Sequence, residues 1–182
     1  MGFRQIAQRI RVSTGFVLAP LLLIAANPTP ATLLIGAGLA VTGLAIRAWA
    51  SGYLKKNQEL TTAGPYAYTR NPLYLGTFIL GTGVAICSGA LWFVALFVLL
   101  YLVIYVPVMS AEAETMRKLF PQEYEDYSRH VPLFFPRLTP YRPSAHARRF
   151  EAALYLSHRE YRAAFGFIIV FALLAAKLLI TV

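Results

Sequence analysis

The residues best suited to chemistry lie in one short stretch, Leu60 to Gly76, between strongly apolar segments. Arg70 and Asn71 stand directly before Pro72. The same stretch also contains three tyrosines, Tyr66, Tyr68 and Tyr74. An arginine binds a carboxylate or a phosphate through two parallel hydrogen bonds, and an asparagine amide can both donate and accept. A proline in the first turn of a helix is common, but this explains Pro72 alone. The stretch therefore indicates a site for a ligand with an anionic group.

A second polar cluster follows the fourth apolar block of the chain. It contains the carboxylates Glu112 and Glu114, then Arg117, and further on the tyrosines Tyr124 and Tyr127. One interpretation is a solvated helix face, stabilised by about 0.2–0.5 kcal/mol for each pair of opposite charges. A carboxylate so close to a membrane boundary is costly unless it is paired, however. The other interpretation is therefore a functional carboxylate.

Metal-binding and nucleophilic sites are not predicted. The histidines lack the close spacing of metal ligands, and the single cysteine, Cys87, cannot build a thiolate site. The histidines are His130, His146 and His158. The net charge of +9 is scattered beside apolar segments without a binding motif, which argues against a nucleic-acid partner. Such a distribution is typical of a protein that contacts an anionic membrane surface.

The elements that must position these clusters are five apolar blocks. Of the 182 residues, 58% are hydrophobic and 14% are charged, whereas a soluble domain carries about 25% charged residues. A membrane-spanning helix needs about 20 predominantly apolar residues. The sequence therefore predicts an all-α, polytopic membrane protein with one domain and about five transmembrane helices. The spans are expected near residues 12–26, 31–50, 72–88, 91–109 and 163–181.

The distribution of charge predicts the orientation of these spans. If the N-terminus is cytoplasmic, all of the 17 basic residues except Lys177 fall on the cytoplasmic side, as the positive-inside rule requires. The opposite loops, 27–30 and 87–90, carry no charge. The polar clusters then lie in two cytoplasmic segments, 51–71 and 110–162. We therefore expect both polar clusters to face the cytoplasm, in a protein of the inner or cytoplasmic membrane.

The second cytoplasmic segment is expected to contain several shorter elements. Residues 111–120 have a helical composition, and Pro121 is well placed to begin a further short helix. Residues 131–136 cannot form a regular helix, because proline removes a backbone donor and restricts the residue before it. Residues 145–161 mix arginines with large apolar side chains, which predicts an amphipathic helix at the membrane interface.

The order and spacing of these motifs resemble the isoprenylcysteine carboxyl methyltransferase and phospholipid methyltransferase superfamily. The resemblance starts from Gly64-Pro65-Tyr66 and the run Arg70-Asn71-Pro72-Leu73-Tyr74-Leu75-Gly76. It continues through the acidic helix to Phe120, Tyr124, Tyr127 and Val131-Pro132. Residues 47–136, about half of the chain, are covered. The resemblance implies an integral-membrane enzyme that binds S-adenosylmethionine on the cytoplasmic side.

The resemblance also implies roles for particular residues. The family's Arg-His-Pro-x-Tyr signature falls on Arg70, Asn71, Pro72 and Tyr74, and its paired glutamates fall on Glu112 and Ala113. The implied catalytic residues are Arg70, Asn71, Tyr74 and Arg117. The implied cofactor-binding residues are Leu60, Thr61, Thr62, Tyr68, Asn71, Tyr74, Glu112 and Glu114. A small-x-small pattern near the cofactor would correspond to Gly81-Thr82-Gly83, which helix packing explains equally well.

Two departures from the family pattern bear on the chemistry. Asn71 replaces a histidine, so a role that needs a titrating imidazole is lost while amide hydrogen bonding survives. Ala113 replaces one glutamate, which leaves Glu112 as the expected cofactor ligand and Glu114 as a substitute. We expect Glu112 to bind the ammonium group of S-adenosylmethionine. Arg70 or Arg117 would bind its carboxylate or an anionic substrate head group.

The predicted function is methyl transfer from S-adenosylmethionine to a lipophilic or membrane-embedded acceptor, such as a prenylcysteine-type carboxylate. A phospholipid amine, a small thiol and an isoprenoid lipid are alternative acceptors. Two other classes also stay open: a sterol-type membrane reductase with a reduced nicotinamide cofactor, and a non-catalytic membrane scaffold or transporter component. The expected partners are the lipid bilayer and the lipophilic acceptor, and the sequence sets no oligomeric state.

Overall fold

A computed structural model of the chain describes residues 18–55, 58–142 and 149–181. These residues form helices and turns, with no strand among them. The first helix, α1, is described over residues 18–25. The others are α2 (Pro30–Ser51), α3 (Pro72–Cys87), α4 (Leu91–Leu119), α5 (Pro121–His130), α6 (Ala152–Ser157) and α7 (Tyr161–Thr181), with a 3₁₀ turn at Gly64–Ala67. The prediction of an all-α fold is confirmed.

The two helices at the centre of the fold, α2 and α3, pack against each other at glycines. A Cβ atom added to Gly83 would lie 2.6 Å from the carbonyl oxygen of Gly36, and one added to Gly43 would lie 2.6 Å from that of Gly76. Any side chain there would push the helices apart, so glycine allows the close approach that is common between membrane helices. This packing holds the start of α3 beside the end of α2.

Helices α3 and α4 are joined by a tight turn at residues 88–90. Gly89 in the turn has a φ of +73°, a conformation that glycine adopts without strain. The carbonyl of Ser88 accepts a hydrogen bond of 2.7 Å from the backbone N–H of Asn27. The two loops without charge, 27–30 and 87–90, therefore lie at the same end of the helices.

Helix α4 is longer than the predicted span. It runs unbroken from Leu91 to Leu119, so the span at 91–109 and the separate helix expected at 111–120 are one element. Pro107 lies inside it, and the polar continuation contains no glycine or further proline that would end a helix. Pro121 begins α5 in its first turn, as predicted. As a result, Glu112 lies on the same helix as the apolar span, near the polar end of the molecule.

The chain before the last helix differs from the amphipathic helix predicted over residues 145–161. Residues 143–148 lie outside the described residues, and of the rest only Ala152–Ser157 is helical before α7. Arg159 has a φ of +56°, a left-handed conformation that interrupts a right-handed helix. The prediction of one continuous helix is wrong for this reason, and α7 begins only at Tyr161.

Three described helices are long and apolar enough to cross a membrane, namely Pro30–Ser51, Leu91–Leu119 and Tyr161–Ile180. Helix α3, also apolar, has only 16 residues. The predicted first span, 12–26, lies partly outside the described residues. The molecule is thus an all-helical membrane protein, while the number of five spans stays a prediction.

Lys177, the one basic residue expected towards the opposite side, joins the last helix to the first. Its Nζ donates hydrogen bonds to the carbonyl oxygens of Leu23 at 2.8 Å and Ile24 at 3.1 Å. These carbonyls belong to the last turn of α1. A cation is favourable there because the carbonyl end of a helix carries a partial negative charge.

Candidate active site

A cavity of about 490 Å³ lies where the polar ends of the helices meet. Its volume is in the range of about 300–1,000 Å³ that is typical of small-molecule sites. Five tyrosines contribute to its wall, namely Tyr66, Tyr74, Tyr105, Tyr124 and Tyr127. Six charged residues do so as well, namely Arg47, Lys55, Glu59, Arg70, Glu112 and Glu160. The cavity therefore combines aromatic surfaces with both signs of charge.

Glu112 is held in the wall by a tyrosine from the neighbouring helix. The hydroxyl of Tyr74, in the first turn of α3, donates a hydrogen bond of 2.8 Å to Oε1 of Glu112 on α4. The ring of Tyr74 packs edge-on against Tyr105, with 5.4 Å between the ring centroids. Hydrogen bonds to a charged acceptor are stronger than neutral ones, so this contact fixes the carboxylate relative to α3.

Arg70 lies in the loop just before α3 and is also held by a tyrosine. Its Nη1 donates a hydrogen bond of 2.8 Å to the hydroxyl of Tyr124 on α5, and its guanidinium carbon lies 5.7 Å from the centroid of that ring. The Nε atom of Arg70 is buried and has no hydrogen-bond partner among the described residues. Buried polar groups are normally satisfied, so this donor is available to a ligand.

Asn71 is tied to the chain that follows α5. Its Nδ2 donates a hydrogen bond of 2.9 Å to the carbonyl of Leu133. The hydroxyl of Thr69 donates to the carbonyl of Phe134 at 2.8 Å, and the N–H of Arg70 donates to that of Pro132 at 3.0 Å. Residues 68–71, directly before α3, are called the site loop. Three consecutive residues of this loop therefore donate hydrogen bonds to the three consecutive carbonyls of residues 132–134. In this arrangement the side chain of Asn71 supports the loop and also lines the cavity.

Two buried tyrosines close the inner side of the site. The hydroxyl of Tyr127 on α5 donates a hydrogen bond of 2.7 Å to the carbonyl of Tyr66 in the 3₁₀ turn. Burial raises the pKa of both hydroxyls well above the usual value, and the carboxylate of Glu112 raises the pKa of Tyr66 further. Both side chains are therefore neutral hydrogen-bonding groups at physiological pH.

One ion pair in the wall joins residues that are far apart in the sequence. Nη2 of Arg47, near the end of α2, lies 2.6 Å from Oε2 of Glu160, and their side chains are only 21% and 13% exposed. Nη1 of Arg47 also donates to the hydroxyl of Thr77 on α3. Sequence reasoning missed this pair because its partners are 113 residues apart. The available signal was Arg47 itself, since a charge within an apolar block needs a partner.

The comparison with protein families agrees with this geometry. A family model described as phospholipid methyltransferase matches residues 30–123, about half of the chain. The chain belongs to the phospholipid methyltransferase family. This family is part of the integral-membrane methyltransferase superfamily, as the sequence motifs indicated. Most of the cavity wall lies in the matched range, while Tyr124, Tyr127 and Glu160 lie beyond it.

Two curated relatives of this family member carry names that refer to metal resistance. The chain is 33% identical over 111 residues to the nickel-cobalt-cadmium resistance protein NccN of Alcaligenes xylosoxydans xylosoxydans, covering 60% of the chain and 50% of that protein. It is 34% identical over 142 residues to the cobalt-zinc-cadmium resistance protein CzcN of Cupriavidus metallidurans, covering 72% of the chain and 64% of that protein. The chain thus spans between half and two thirds of the length of these relatives. No solved structure matches the chain.

Six of the residues that the sequence singled out come together in this phospholipid methyltransferase family member. Leu60, Thr61, Arg70, Asn71, Tyr74 and Glu112 all line the cavity. They come from three separate parts of the chain, which the packing of α2, α3 and α4 brings to one place. Their roles as catalytic or cofactor-binding residues stay predictions.

Four other predicted residues do not line the cavity: Thr62, Tyr68, Glu114 and Arg117. Glu114 is exposed, and Nε of Arg117 lies 3.9 Å from a carboxylate oxygen of Glu125 at the surface. On an α-helix, residues four apart share a face, so α4 presents Glu112 and Met116 to the cavity, and Glu114, two residues from each of them, points away. The ring of Tyr68 packs against Trp49 instead, at 6.2 Å between centroids.

The glycines at positions 81 and 83 contribute to helix packing. A Cβ atom on Gly81 would meet the ring of Phe97 on α4, while one on Gly83 would meet the backbone of Ala40 on α2. Neither glycine lines the cavity. Within the described ranges, no group of three or more His, Cys, Asp or Glu side chains is placed to hold a metal ion.

Proposed function

We propose that this protein transfers a methyl group from S-adenosylmethionine to a lipophilic acceptor that it takes from the membrane. The observation that carries the proposal is the cavity at the polar end of α3 and α4, where Arg70 and Glu112 contribute opposite charges to a wall of tyrosines. The family match supports the reaction class. The apolar helices around the cavity support an acceptor that approaches from the bilayer.

The donor set of the cavity fits S-adenosylmethionine, which carries a carboxylate, an ammonium and a sulfonium. Arg70 would hold the carboxylate through its buried Nε, which lacks a partner among the described residues. Glu112 would hold the ammonium, since an ionised carboxylate accepts several hydrogen bonds and Tyr74 occupies only one of these positions in the contact at 2.8 Å. The tyrosine rings suit the sulfonium, because an aromatic face attracts a cation.

The protein's own contribution would be to position the acceptor and to exclude water. Bound S-adenosylmethionine supplies a methyl group that its sulfonium has already activated. Alignment of reacting groups in a closed site can supply several kcal/mol of the rate enhancement. Two contacts would keep the cavity wall in place. One is the hydrogen bond from the hydroxyl of Tyr127 to the carbonyl of Tyr66, and the other is the ion pair between Arg47 and Glu160.

The replacement of the family's histidine by Asn71 bears on the class of acceptor. Asn71 cannot accept a proton at neutral pH, whereas the imidazole of the family pattern could. A carboxylate or a thiolate needs no base, while an amine must first lose a proton. We therefore propose a readily ionised acceptor, with a prenylcysteine-type carboxylate first and a small thiol, isoprenoid lipid or phospholipid amine as alternatives.

The proposal is tested by following the label from methyl-labelled S-adenosylmethionine. Detergent-purified protein is incubated with labelled donor and a native membrane extract, and the extract is separated into lipid, peptide and small-molecule fractions. Label in the lipid or lipopeptide fraction, lost in Glu112→Gln and retained in Glu114→Gln, is the expected result. Oxidation of a reduced nicotinamide cofactor without transfer of label would favour the reductase class instead.

The names of the relatives extend the proposal to heavy-metal resistance in the cell. The relatives are called resistance proteins for cobalt, cadmium, and nickel or zinc. We propose that methylation of the acceptor contributes to tolerance of these cations. Cells that lack the protein should then grow less well in cobalt or cadmium, and the wild-type chain but not Glu112→Gln should restore growth. Equal restoration by both chains would separate resistance from methyl transfer.

A further inference from the structure

The segment that follows α5 combines exposed apolar side chains with basic ones. Residues 131–142 contain Arg137 and Arg142 and no acidic residue. Phe135 is 77% exposed and Leu138 is 98% exposed. Exposed apolar side chains grouped in one segment can mark a contact with another molecule or with a membrane. This pattern alone does not identify the contact, which depends on where the segment lies relative to the membrane-spanning helices.

The position of Phe134 places the segment beside the apolar part of those helices. Its ring lies 5.9 Å from the ring of Phe78 and 6.2 Å from that of Tyr101, between centroids. At about 1.5 Å per residue, Phe78 lies about 9 Å along α3 from Pro72, where the helix begins. Tyr101 lies about 12 Å along α4 before Met109, the last residue of the predicted span. The segment therefore extends from the polar end of the helices towards their apolar middle.

Polar groups in the backbone of the segment have hydrogen-bond partners, as a position beside the apolar part of the helices requires. Irregular backbone inside the hydrocarbon region is tolerated only where protein groups satisfy its polar atoms. The carbonyls of Pro132, Leu133 and Phe134 accept hydrogen bonds from the site loop, at 3.0, 2.9 and 2.8 Å. Three prolines, Pro132, Pro136 and Pro140, reduce the number of N–H groups that need a partner. The segment thus needs fewer partners than ordinary chain.

We propose that residues 131–142 form an interfacial anchor that inserts Phe135 and Leu138 into the lipid leaflet on the side of the candidate site. The partner is the lipid leaflet, with acyl chains around the two apolar side chains and anionic head groups near the arginines. Basic residues near an anionic leaflet are attracted to its head groups. The exposed apolar surface of α4 around Tyr101, which includes Leu99, Leu102 and Val103, faces the same hydrocarbon region.

The anchor gives the site loop a direct connection to the membrane. The amide of Asn71 and the hydroxyl of Thr69 hold the same stretch of chain that carries Phe135. The backbone N–H of Arg137 also donates to the carbonyl of Tyr68, at 3.0 Å. The site loop is thereby held at a fixed depth. The anchor does not depend on which reaction the cavity performs.

Spin labels test the depth of the anchor directly. In a Cys87→Ala background, Phe135→Cys and Leu138→Cys are labelled with a nitroxide and reconstituted in vesicles of phosphatidylcholine and phosphatidylglycerol. Leu99→Cys, on the apolar surface of α4, is the reference in lipid, and Gln122→Cys, exposed on the polar helix α5, is the reference in water. The spin relaxation of each nitroxide label is measured in the presence of oxygen and, separately, in the presence of a water-soluble nickel chelate.

We expect oxygen to relax the labels at 135 and 138 more strongly than the nickel chelate, as at position 99. Stronger relaxation by the nickel chelate, as at position 122, would overturn the anchor. Leu138 is almost fully exposed, so its substitution does not disturb the fold. In addition, Asn71→Asp removes the amide donor to Leu133, so the label at 135 should become more mobile. An unchanged spectrum would contradict the connection to the site loop.

Discussion

The two charged side chains at the centre of the site are each held by a tyrosine. The described ion pairs do not join Arg70 to Glu112; Tyr124 bonds to the arginine and Tyr74 to the carboxylate, each at 2.8 Å. A neutral hydroxyl orients a charge without cancelling it. Each group therefore keeps its net charge for a ligand of opposite sign, which a direct ion pair between them would remove. This arrangement suits a zwitterionic ligand with two separated charges.

The buried hydroxyls of Tyr66 and Tyr127 make stability depend on pH in the alkaline range. In the folded protein burial raises their pKa values, whereas tyrosines of the unfolded chain ionise near pH 10. Their contribution is therefore complete below about pH 10 and is lost as the pH rises further. We predict that the thermal unfolding midpoint in detergent falls above about pH 10. The unfolding midpoint of the Tyr127→Phe variant should fall less steeply with pH than that of the wild type. Identical pH profiles for the two proteins would contradict this.

The sequence motifs singled out several residues that line the cavity, but they did not give the orientation of side chains around a helix. Glu112 and Glu114 both follow the predicted span closely, but only Glu112 faces the cavity, because the orientation of α4 follows from packing. Asn71 was expected to act on a ligand, and its amide also holds the carbonyl of Leu133. This contact depends on the path of the chain after α5. The prolines there exclude a regular helix, but they do not predict that path.

At the scale of elements, the ion pair between Arg47 and Glu160 connects the family-matched core to the last helix. It joins α2 to the turn before α7, and the bond from Arg47 to Thr77 adds α3. The matched range ends at residue 123, so Glu160 is a contribution to the cavity wall from outside it. Hydrophobic patterns in the sequence predicted α2 and α7 separately, but they carry no information about which charged residues meet.

A double-mutant cycle measures how strongly this pair holds the elements together. Removal of one partner leaves the other charge largely buried. We therefore predict a loss between the about 1 kcal/mol of an exposed pair and the about 3–5 kcal/mol of a fully buried one. Glu160→Gln and Arg47→Gln together should cost less than the sum of the single changes in unfolding experiments in detergent. Strictly additive losses would show that the pair is not coupled. Glu151→Gln, which breaks the more exposed pair with Lys55, is the matched control.

At the scale of the whole molecule, one end carries the polar site and the other has two short loops without charge. The hydrogen bond between Asn27 and Ser88 brings these loops together, and the cavity lies at the opposite ends of α2 and α3. The positive-inside rule predicts that the charged end faces the cytoplasm. Length and hydropathy predicted about five spans; three described helices are long and apolar enough to cross a membrane, while α3 is too short for these criteria to decide.

Cysteine labelling in intact cells tests this orientation. In a Cys87→Ala background, Asn27→Cys should react with a membrane-impermeant maleimide from outside. Gln122→Cys, on α5 near the site, should react only after the membrane is permeabilised, because α5 is expected on the cytoplasmic side. Equal reactivity of both positions in intact cells would place the loops and the site on one side and would contradict the predicted topology.

We propose that Glu112 in this cavity binds S-adenosylmethionine, and calorimetry on detergent-purified protein measures this binding. A hydrogen bond to a charged group contributes about 1.5–3 kcal/mol, so Glu112→Gln should weaken binding about 10- to 100-fold. Glu114→Gln, an exposed change of the same chemistry on the same helix, should bind like the wild type. No binding by the wild type, or equal affinity of the wild type and Glu112→Gln, would contradict the assignment of the site.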